Sequence, residues 1–303
     1  MDGFYRHVFL FLLRSKFYES HSFASFSDHP FVADRFVFVC GYYSFMVGAP
    51  SVAQLEIMRD QAQQAQVPVY MGFNKNVSSY VQLTQDFVKK YTSTNTPKKL
   101  EVTFLHNNNY APTPTELAEC FERNAEGMLK NMLIHELAIC VTFYHVTVET
   151  IATITADTEY SSLQTFTGPA SGNAYTDFTK LKFQIRTTQG LEINVAADRC
   201  GGDESVGIVT EASRAGGTEV ARFRMPDPTT LANIPVLAQK YGAHTRPYFL
   251  TQDPDYLQVK TLVVQNIVHG TAHPATGVAD ITIAIETLKV AEYLTPILHE
   301  QLK

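Results

Sequence analysis

The stretch Glu126–Glu136, read EGMLKNMLIHE, sets an amide, Asn131, four residues before an imidazole, His135, inside a run of Met, Leu and Ile. On a helix that spacing stacks both side chains on one face. A polar pair on an otherwise apolar face costs free energy unless something uses or satisfies it. General acid–base chemistry near neutral pH needs a group that takes up and returns a proton, and an imidazole, whose ordinary pKa is about 6.5, suits that task. An amide can hold the ring by a hydrogen bond but brings no charge to raise its pKa. The bland alternatives are a core histidine bonded to a backbone carbonyl and an amide on a helix surface. A second polar set, Lys75 and Asn76, follows the apolar run VPVYMGF. Open α/β sheets place ligands at such strand ends, although an ordinary turn has the same composition.

Other constellations carry less. His135-Glu136 begins like a zinc-protease H-E-x-x-H helix, but the last position is Ile139. His269 and His273 are four apart, yet Gly270 and Pro274 make a loop, and no carboxylate or thiolate sits close in sequence to complete a metal site. Gly201-Gly202-Asp203-Glu204 is a polar turn without the lysine of a phosphate loop. Cys40, Cys120, Cys140 and Cys200 form no C-x-x-C pair. No metal is expected.

The elements that would position these groups follow from periodicity. Ser51 is placed as the N-cap of a helix with Val52, Leu55, Met58 and Ala62 on one side. Pro68 interrupts, and VPVYMGF is a short strand; helix and strand make half of a β-α-β repeat. A helix over 77–91 carries Val77, Val81, Leu83, Phe87 and Val88 as its apolar set, and TSTNTPKK is a turn. Leu100–Leu105 reads as a strand. Thr113 to about Tyr144 reads as largely helical behind a Thr-Pro-Thr-Glu cap. Strands are expected over Thr147–Ala156, Thr179–Thr187, Leu191–Arg199 and Thr218–Arg224, the middle two as a hairpin. Asp255–His269 reads as a helix facing Leu257, Leu262, Val263 and Ile267 inward, and Ala279–Leu302 as a last helix facing Ile281, Ile285, Leu288, Ala291 and Leu294 inward. Residues 1–48 are crowded with Phe, Tyr and Ser without a lasting helical stripe; Phe36–Cys40 is their one strand candidate. They read as an atypical, poorly ordered N-terminus.

Residues 49–303 resemble the Gfo/Idh/MocA family of nicotinamide-dependent sugar and polyol dehydrogenases. The resemblance rests on the helix–strand unit ending in GFNKN, the EGMLKNMLIHELA helix, the antiparallel strands and the terminal DITIAIETLKVAEYL helix. It implies an α/β fold with an α+β C-terminal part: a partial Rossmann-like N-terminal unit, then a domain with a large, mostly antiparallel open sheet flanked by helices. The implied division is an atypical 1–48, a Rossmann remnant at 49–73 and a substrate and oligomerisation domain at 74–303. The implied cofactor is NAD or NADP, and the implied substrate is a sugar or cyclic polyol. His135 falls on the family's catalytic histidine and Asn131 on its usual aspartate. Gly72 and Asn74 are the implied cofactor-binding residues, Lys75 and Asn76 the implied substrate-binding ones. Homo-oligomers through the outer face of the open sheet are expected.

Three departures matter. The chain contains no G-x-G, the turn that lets backbone N–H groups approach a pyrophosphate. The family's Glu-Lys-Pro triplet falls on Met46, Val47 and Gly48, so the catalytic lysine would be Val47. Asn131 stands where the family has a carboxylate. About 100 residues or more of a Rossmann domain are expected to be missing, as in a truncated or mis-assembled gene. The resemblance therefore implies an oxidoreductase-like protein without a complete cofactor site, with a non-catalytic interaction or substrate-binding remnant as the alternative, or a longer, active protein behind a wrong gene model.

The chain has 303 residues, 45% hydrophobic and 18% charged, the balance of a globular protein large enough for two domains. A formal charge of −6 without a basic run speaks against nucleic acid or an anionic membrane as partner. No apolar run is long enough to span a bilayer. Val8–Leu13, VFLFLL, falls short of a signal-peptide core and no small-residue cleavage site follows. A reduced, cytoplasmic setting is the simplest expectation.

Overall fold

The computed structural model describes residues 37–39, 51–66, 68–94, 99–212, 217–241, 247–269 and 274–303. Most of 1–48, with the Met46–Gly48 triplet, and the loop holding His273 lie outside the described residues.

Among the described residues the N-terminal layer is a three-stranded sheet. β1 (Val37–Val39) runs parallel to β2 (Val69–Met71), and β10 (Ala279–Asp280) pairs antiparallel on the other side of β2. Helix α1 (Val52–Gln64) joins β1 to β2, completing the expected β-α-β unit. Ser51 starts it with a reciprocal capping box: its hydroxyl accepts from the Gln54 N–H, while the Gln54 side chain accepts from the Ser51 N–H. After β2 the chain passes Gly72 and Phe73, makes a single 3-10 turn over Asn74–Val77, and enters α2 (Ser79–Thr94).

The second layer is a seven-stranded sheet: β4 (Ile151–Ala156), β6 (Ala174–Thr187), β7 (Glu192–Asp198), β3 (Leu100–Asn108), β8 (Asp203–Glu211) and β9 (Thr218–Met225), with β5 (Ser162–Thr167) also on β6. Only β3 and β7 pair in parallel; the other ladders are antiparallel. The sheet is open rather than closed into a barrel. Residues of β3 alternate, so that Val102, Phe104, His106 and Asn108 all point into the buried side. Helix α2 approaches β8 so closely that a Cβ at Gly207 would stand 2.0 Å from Thr84 Oγ1.

The inner face of this sheet is covered by α5 (Ile134–Tyr144) and, behind it, α8 (Ile281–Gln301). Every residue from Ile134 to Val141 is buried. A helix apolar all round belongs in a core, and Leu137, Ile139 and their neighbours each contribute about 1.5–3 kcal/mol by burial. α8 buries Ile281, Ile285, Leu288, Ala291 and Leu294, as its periodicity predicts. α3 (Pro114–Arg123) has the expected Thr113–Glu116 capping box with Pro114 in its first turn. α6 (Pro228–Tyr241) and α7 (Pro247–Val268) pack against each other and flank the turn at Asn74–Val77 through α7. Among the described residues no helix is long and apolar enough to cross a membrane.

Several elements differ from the sequence reading. β5 and β8 escape periodicity because one is a polar edge strand and the other opens with Asp203-Glu204 and contains Gly207. α6 has an interior proline, Pro235, and was not expected as a helix. Leu83 and Leu257, read as inward, are 49% and 65% exposed. Most important for the site, the largely helical stretch 113–144 is interrupted inside the EGMLKNMLIHELA motif, which was read as one helix. α3 ends at Arg123, a short helix α4 spans Met128–Asn131, and Met132-Leu133 separate it from α5.

Candidate functional site

The break between α4 and α5 sends the two residues of the opening motif to different surroundings. Leu133 N–H bonds to the Met128 carbonyl, a spacing of five, before the regular ladder of α5 begins at Leu137. Asn131 Nδ2 donates to Asn124 Oδ1 at 3.0 Å, and the amide also meets the Glu126 carboxyl. His135 lies at the start of α5, 7% exposed, with its ring edge-to-face on Phe73 at 5.9 Å between centroids. It therefore sits beside the segment that ends β2, while Asn131 is tied to the α3–α4 loop.

The residues after β2 are deeply sealed. Asn74, Lys75 and Asn76 are 0%, 2% and 0% exposed. Three polar residues in a row can be buried here because a 3-10 turn projects them in different directions. Asn76 Nδ2 donates to Thr142 Oγ1 on α5 at 2.9 Å, and the Asn76 carbonyl accepts from Gln82 Nε2 at 2.8 Å. Gly277 adopts φ 86°, and a Cβ there would come within 2.9 Å of the Asn76 carbonyl oxygen. Gly72 precedes this turn, and its carbonyl accepts from the Asn74 N–H at 2.8 Å.

Lys75 is the charge at the centre. Its Nζ donates to Glu136 Oε1 at 2.6 Å, both side chains being buried. Glu136 Oε2 lies 3.4 Å from His106 Nδ1, and Asn108 Nδ2 lies 3.4 Å from His106 Nε2. That arrangement suits a neutral His106 with its proton on Nδ1, donating to Glu136 and accepting from Asn108. Burial alone would raise the Glu136 carboxyl, but Lys75 and His106 hold it far below the usual carboxylate range. Burial lowers Lys75, opposed mainly by Glu136. Burial also lowers His106, with Lys75 adding to the effect. The same two causes bring His135 down to about 3. Asp255 of α7, itself buried, adds a second carboxyl within electrostatic reach of Lys75.

Chemically, this is one fixed ion pair surrounded by neutral hydrogen-bonding groups. Four buried polar atoms beside it have no hydrogen-bond partner among the described residues: both side-chain atoms of Asn74, Asn76 Oδ1 and His135 Nδ1. Buried polar atoms are seldom left so, because each costs about 1–3 kcal/mol. A neutral imidazole with a pKa of about 3 can exchange hydrogen bonds with a hydroxyl through its one N–H and its bare nitrogen but does not hold a second proton at neutral pH.

His106, Asn108 and Asp255 were absent from the sequence reading of the site, and Glu136 entered it only through the discarded zinc motif. The signals were weak but present: a His-Asn-Asn run closing an alternating strand, and a lone carboxylate inside a wholly apolar helix. Among the described residues no cluster of His, Cys, Asp and Glu could hold a metal ion.

The sequence matches no protein-family model and no curated protein. Solved structures do match the fold. One assigned as a myo-inositol dehydrogenase, from Sinorhizobium meliloti 1021, superimposes with TM-score 0.58 at 11% identity over 89% of this chain and 73% of that one. A myo-inositol dehydrogenase from Corynebacterium glutamicum ATCC 13032 gives 0.54 at 16% identity, over 82% and 68% of the two chains. An oxidoreductase from Agrobacterium radiobacter, in complex with NAD+, L-tartaric acid and magnesium, gives 0.50 at 11% identity, over 84% and 68%. The chain therefore has the fold of Gfo/Idh/MocA-type dehydrogenases, a structural likeness at low sequence identity.

Proposed function

We propose that this chain is an oxidoreductase-like protein related to NAD(P)-dependent sugar and polyol dehydrogenases, and that it binds a sugar or cyclic polyol beside the turn at Asn74–Val77 without holding a complete cofactor site. The observation that carries this reading is the group of unpartnered buried polar atoms at Asn74, Asn76 and His135, in a fold shared with myo-inositol dehydrogenases. A polyhydroxylated ring offers each of them a hydroxyl that both donates and accepts. Lys75 supplies a cation held in place by Glu136, and His135 orients a hydroxyl without removing its proton.

A nicotinamide dinucleotide fits the chain poorly. Such a group needs backbone N–H donors at a glycine-rich strand end. The sequence has no G-x-G, and no positive-φ glycine among the described residues stands at the end of β1 or β2. Gly72 and Asn74 remain the residues nearest to where a nicotinamide would approach. The division into 1–48, a remnant at 49–73 and a substrate domain at 74–303 belongs to this reading. So does a cytoplasmic homo-oligomer formed through the open sheet.

A second reading, a non-catalytic interaction or substrate-binding remnant, is favoured by two features. His135 is a weak base where it stands, and Val47 occupies the position expected of a lysine. Two titrations separate the readings. Calorimetry with myo-inositol as probe is expected to give saturable heat at millimolar concentration, lost in His135→Phe. Fluorescence titration with NADH and NADPH is expected to show no saturation. Saturable cofactor binding restores the complete enzyme; absence of both signals removes the polyol reading. Light scattering tests the oligomer.

A further inference from the structure

We infer that helix α7 is a hinged cover over the polar turn, latched where Asp255 is buried beside Ser78 and Lys75. The inference rests on the proposed ligand site, because it concerns how that site is reached. As the molecule stands, a ligand has no route to the unpartnered atoms: Asn74 and Asn76 are 0% exposed and Lys75 2%. Some element packed on the turn must move.

α7 is the element built to do so. Its apolar attachment is a small cluster of Val259 and Val263 with Tyr70, Val77 and Val278, separate from the main core that holds α5 and α8. Its polar pin is Asn266, whose Nδ2 donates to the Tyr70 hydroxyl at 3.2 Å, and Asp255 is buried at 6% exposure where α7 packs on the turn. Both α7 and its packing partner α6 carry a proline inside the helix, Pro254 and Pro235. An interior proline deletes a backbone hydrogen bond and is a usual point of bending. Pro254 is the residue before Asp255, so the weak point and the latch coincide. The far side of α7 leaves Leu257, Val264 and Val268 exposed, so nothing described clamps it from outside.

The latch responds to pH. Lys75 is the charged group that acts on the Asp255 carboxyl from the turn, with Glu136, His106 and His135 arranged behind it. The other elements against α7 bring Lys240 on α6 and Asp203, Glu204 and Glu211 on β8. Burial raises Asp255 to about 7, and Ser78 and Lys75 only partly oppose it. When α7 swings out, the carboxyl returns to its ordinary value of about 4. The closed form thus binds the proton more tightly. Closure is favoured at low pH and is lost as pH rises through about 7.

The test is amide hydrogen exchange of the full chain without ligand, corrected for intrinsic rates, with α8 as the internal reference for global opening. The opening constant of the α7 amides from 255 to 268 is expected to rise roughly 30-fold between about pH 5.5 and 8. In Asp255→Asn that rise is expected to vanish. A wild-type constant that changes less than threefold overturns the cover, whether or not the variant folds. An equal rise in a folded Asp255→Asn moves the latch elsewhere and overturns it too. No ligand is present, so failure of polyol binding and failure of the cover are read separately.

Discussion

Two buried ion pairs in this molecule look alike and are built differently. Arg199, 1% exposed, lies 3.2 Å from Asp177 Oδ2, stacks over the Phe121 ring and donates to Cys120 Sγ. Asp177 also accepts from the Met128 N–H at 3.1 Å, which fixes the start of α4. That pair joins β6 and the end of β7 to the α3–α4 loop, with the Phe121 ring and the Glu126 carboxyl beside it. The pair at Lys75 and Glu136 is equally buried, yet its surroundings are polar and include four atoms without partners. Burial of charge is therefore no mark of a site by itself; both pairs carry it. What separates them is how many buried polar atoms are left over: Asp177 Oδ2 and Arg199 Nη2 meet each other in the ion pair and leave Glu126 Oε1 beside them, whereas four such atoms lie beside Lys75 and Glu136.

Breaking either pair gives the largest effect. Glu136→Leu leaves a buried lysine unpaired and is expected to lose about 3–5 kcal/mol in urea unfolding, with Asp177→Leu comparable. If only the turn pair serves a ligand, the double replacement of Lys75 and Glu136 by apolar residues recovers much of that stability and still abolishes myo-inositol binding. Retained binding would reduce that pair to a structural one as well.

The next effect is a pH dependence. His135 is lowered from its ordinary value to about 3, so its contribution to stability is present above about pH 6.5 and lost as pH falls toward 3. At pH 5 the wild-type chain is expected to have lost about 2 kcal/mol from this group relative to pH 7. Subtracting the unfolding profile of His135→Phe isolates it. Asp255 has the opposite sign, so the undivided profile is flatter than either group alone.

A smaller effect concerns the pair read from the sequence. Asn131→Asp would set a carboxylate against Asn124 Oδ1 and near Glu126, whose carboxyl burial already raises. A loss of about 1–3 kcal/mol is expected, with no change in the titration of His135 by proton NMR. A raised His135 pKa would instead reunite the two residues. The smallest effect is a gain: Asn74→Leu removes an amide with no partners and is expected to stabilise the ligand-free chain by about 1 kcal/mol while abolishing polyol binding.

Much of the fold was legible because it rests on local signals. The capping boxes at Ser51 and Thr113, the apolar stripe of the last helix and the hairpin at β6–β7 each depend on residues a few positions apart. His135 and the GFNKN turn could be picked out for the same reason: polar residues stand out in apolar runs. The amino-acid order by itself determined most of the helices and strands, the lack of a G-x-G turn in the sequence and the presence of an imidazole in an apolar helix. Only the tertiary structure decided which charges meet. Lys75 reaches Glu136 across 61 residues and Asn266 reaches Tyr70 across 196, and a two-residue break at Met132-Leu133 parts Asn131 from His135. Periodicity records which side of an element is apolar, whereas burial and Coulomb interaction depend on distances that exist only once the layers have packed.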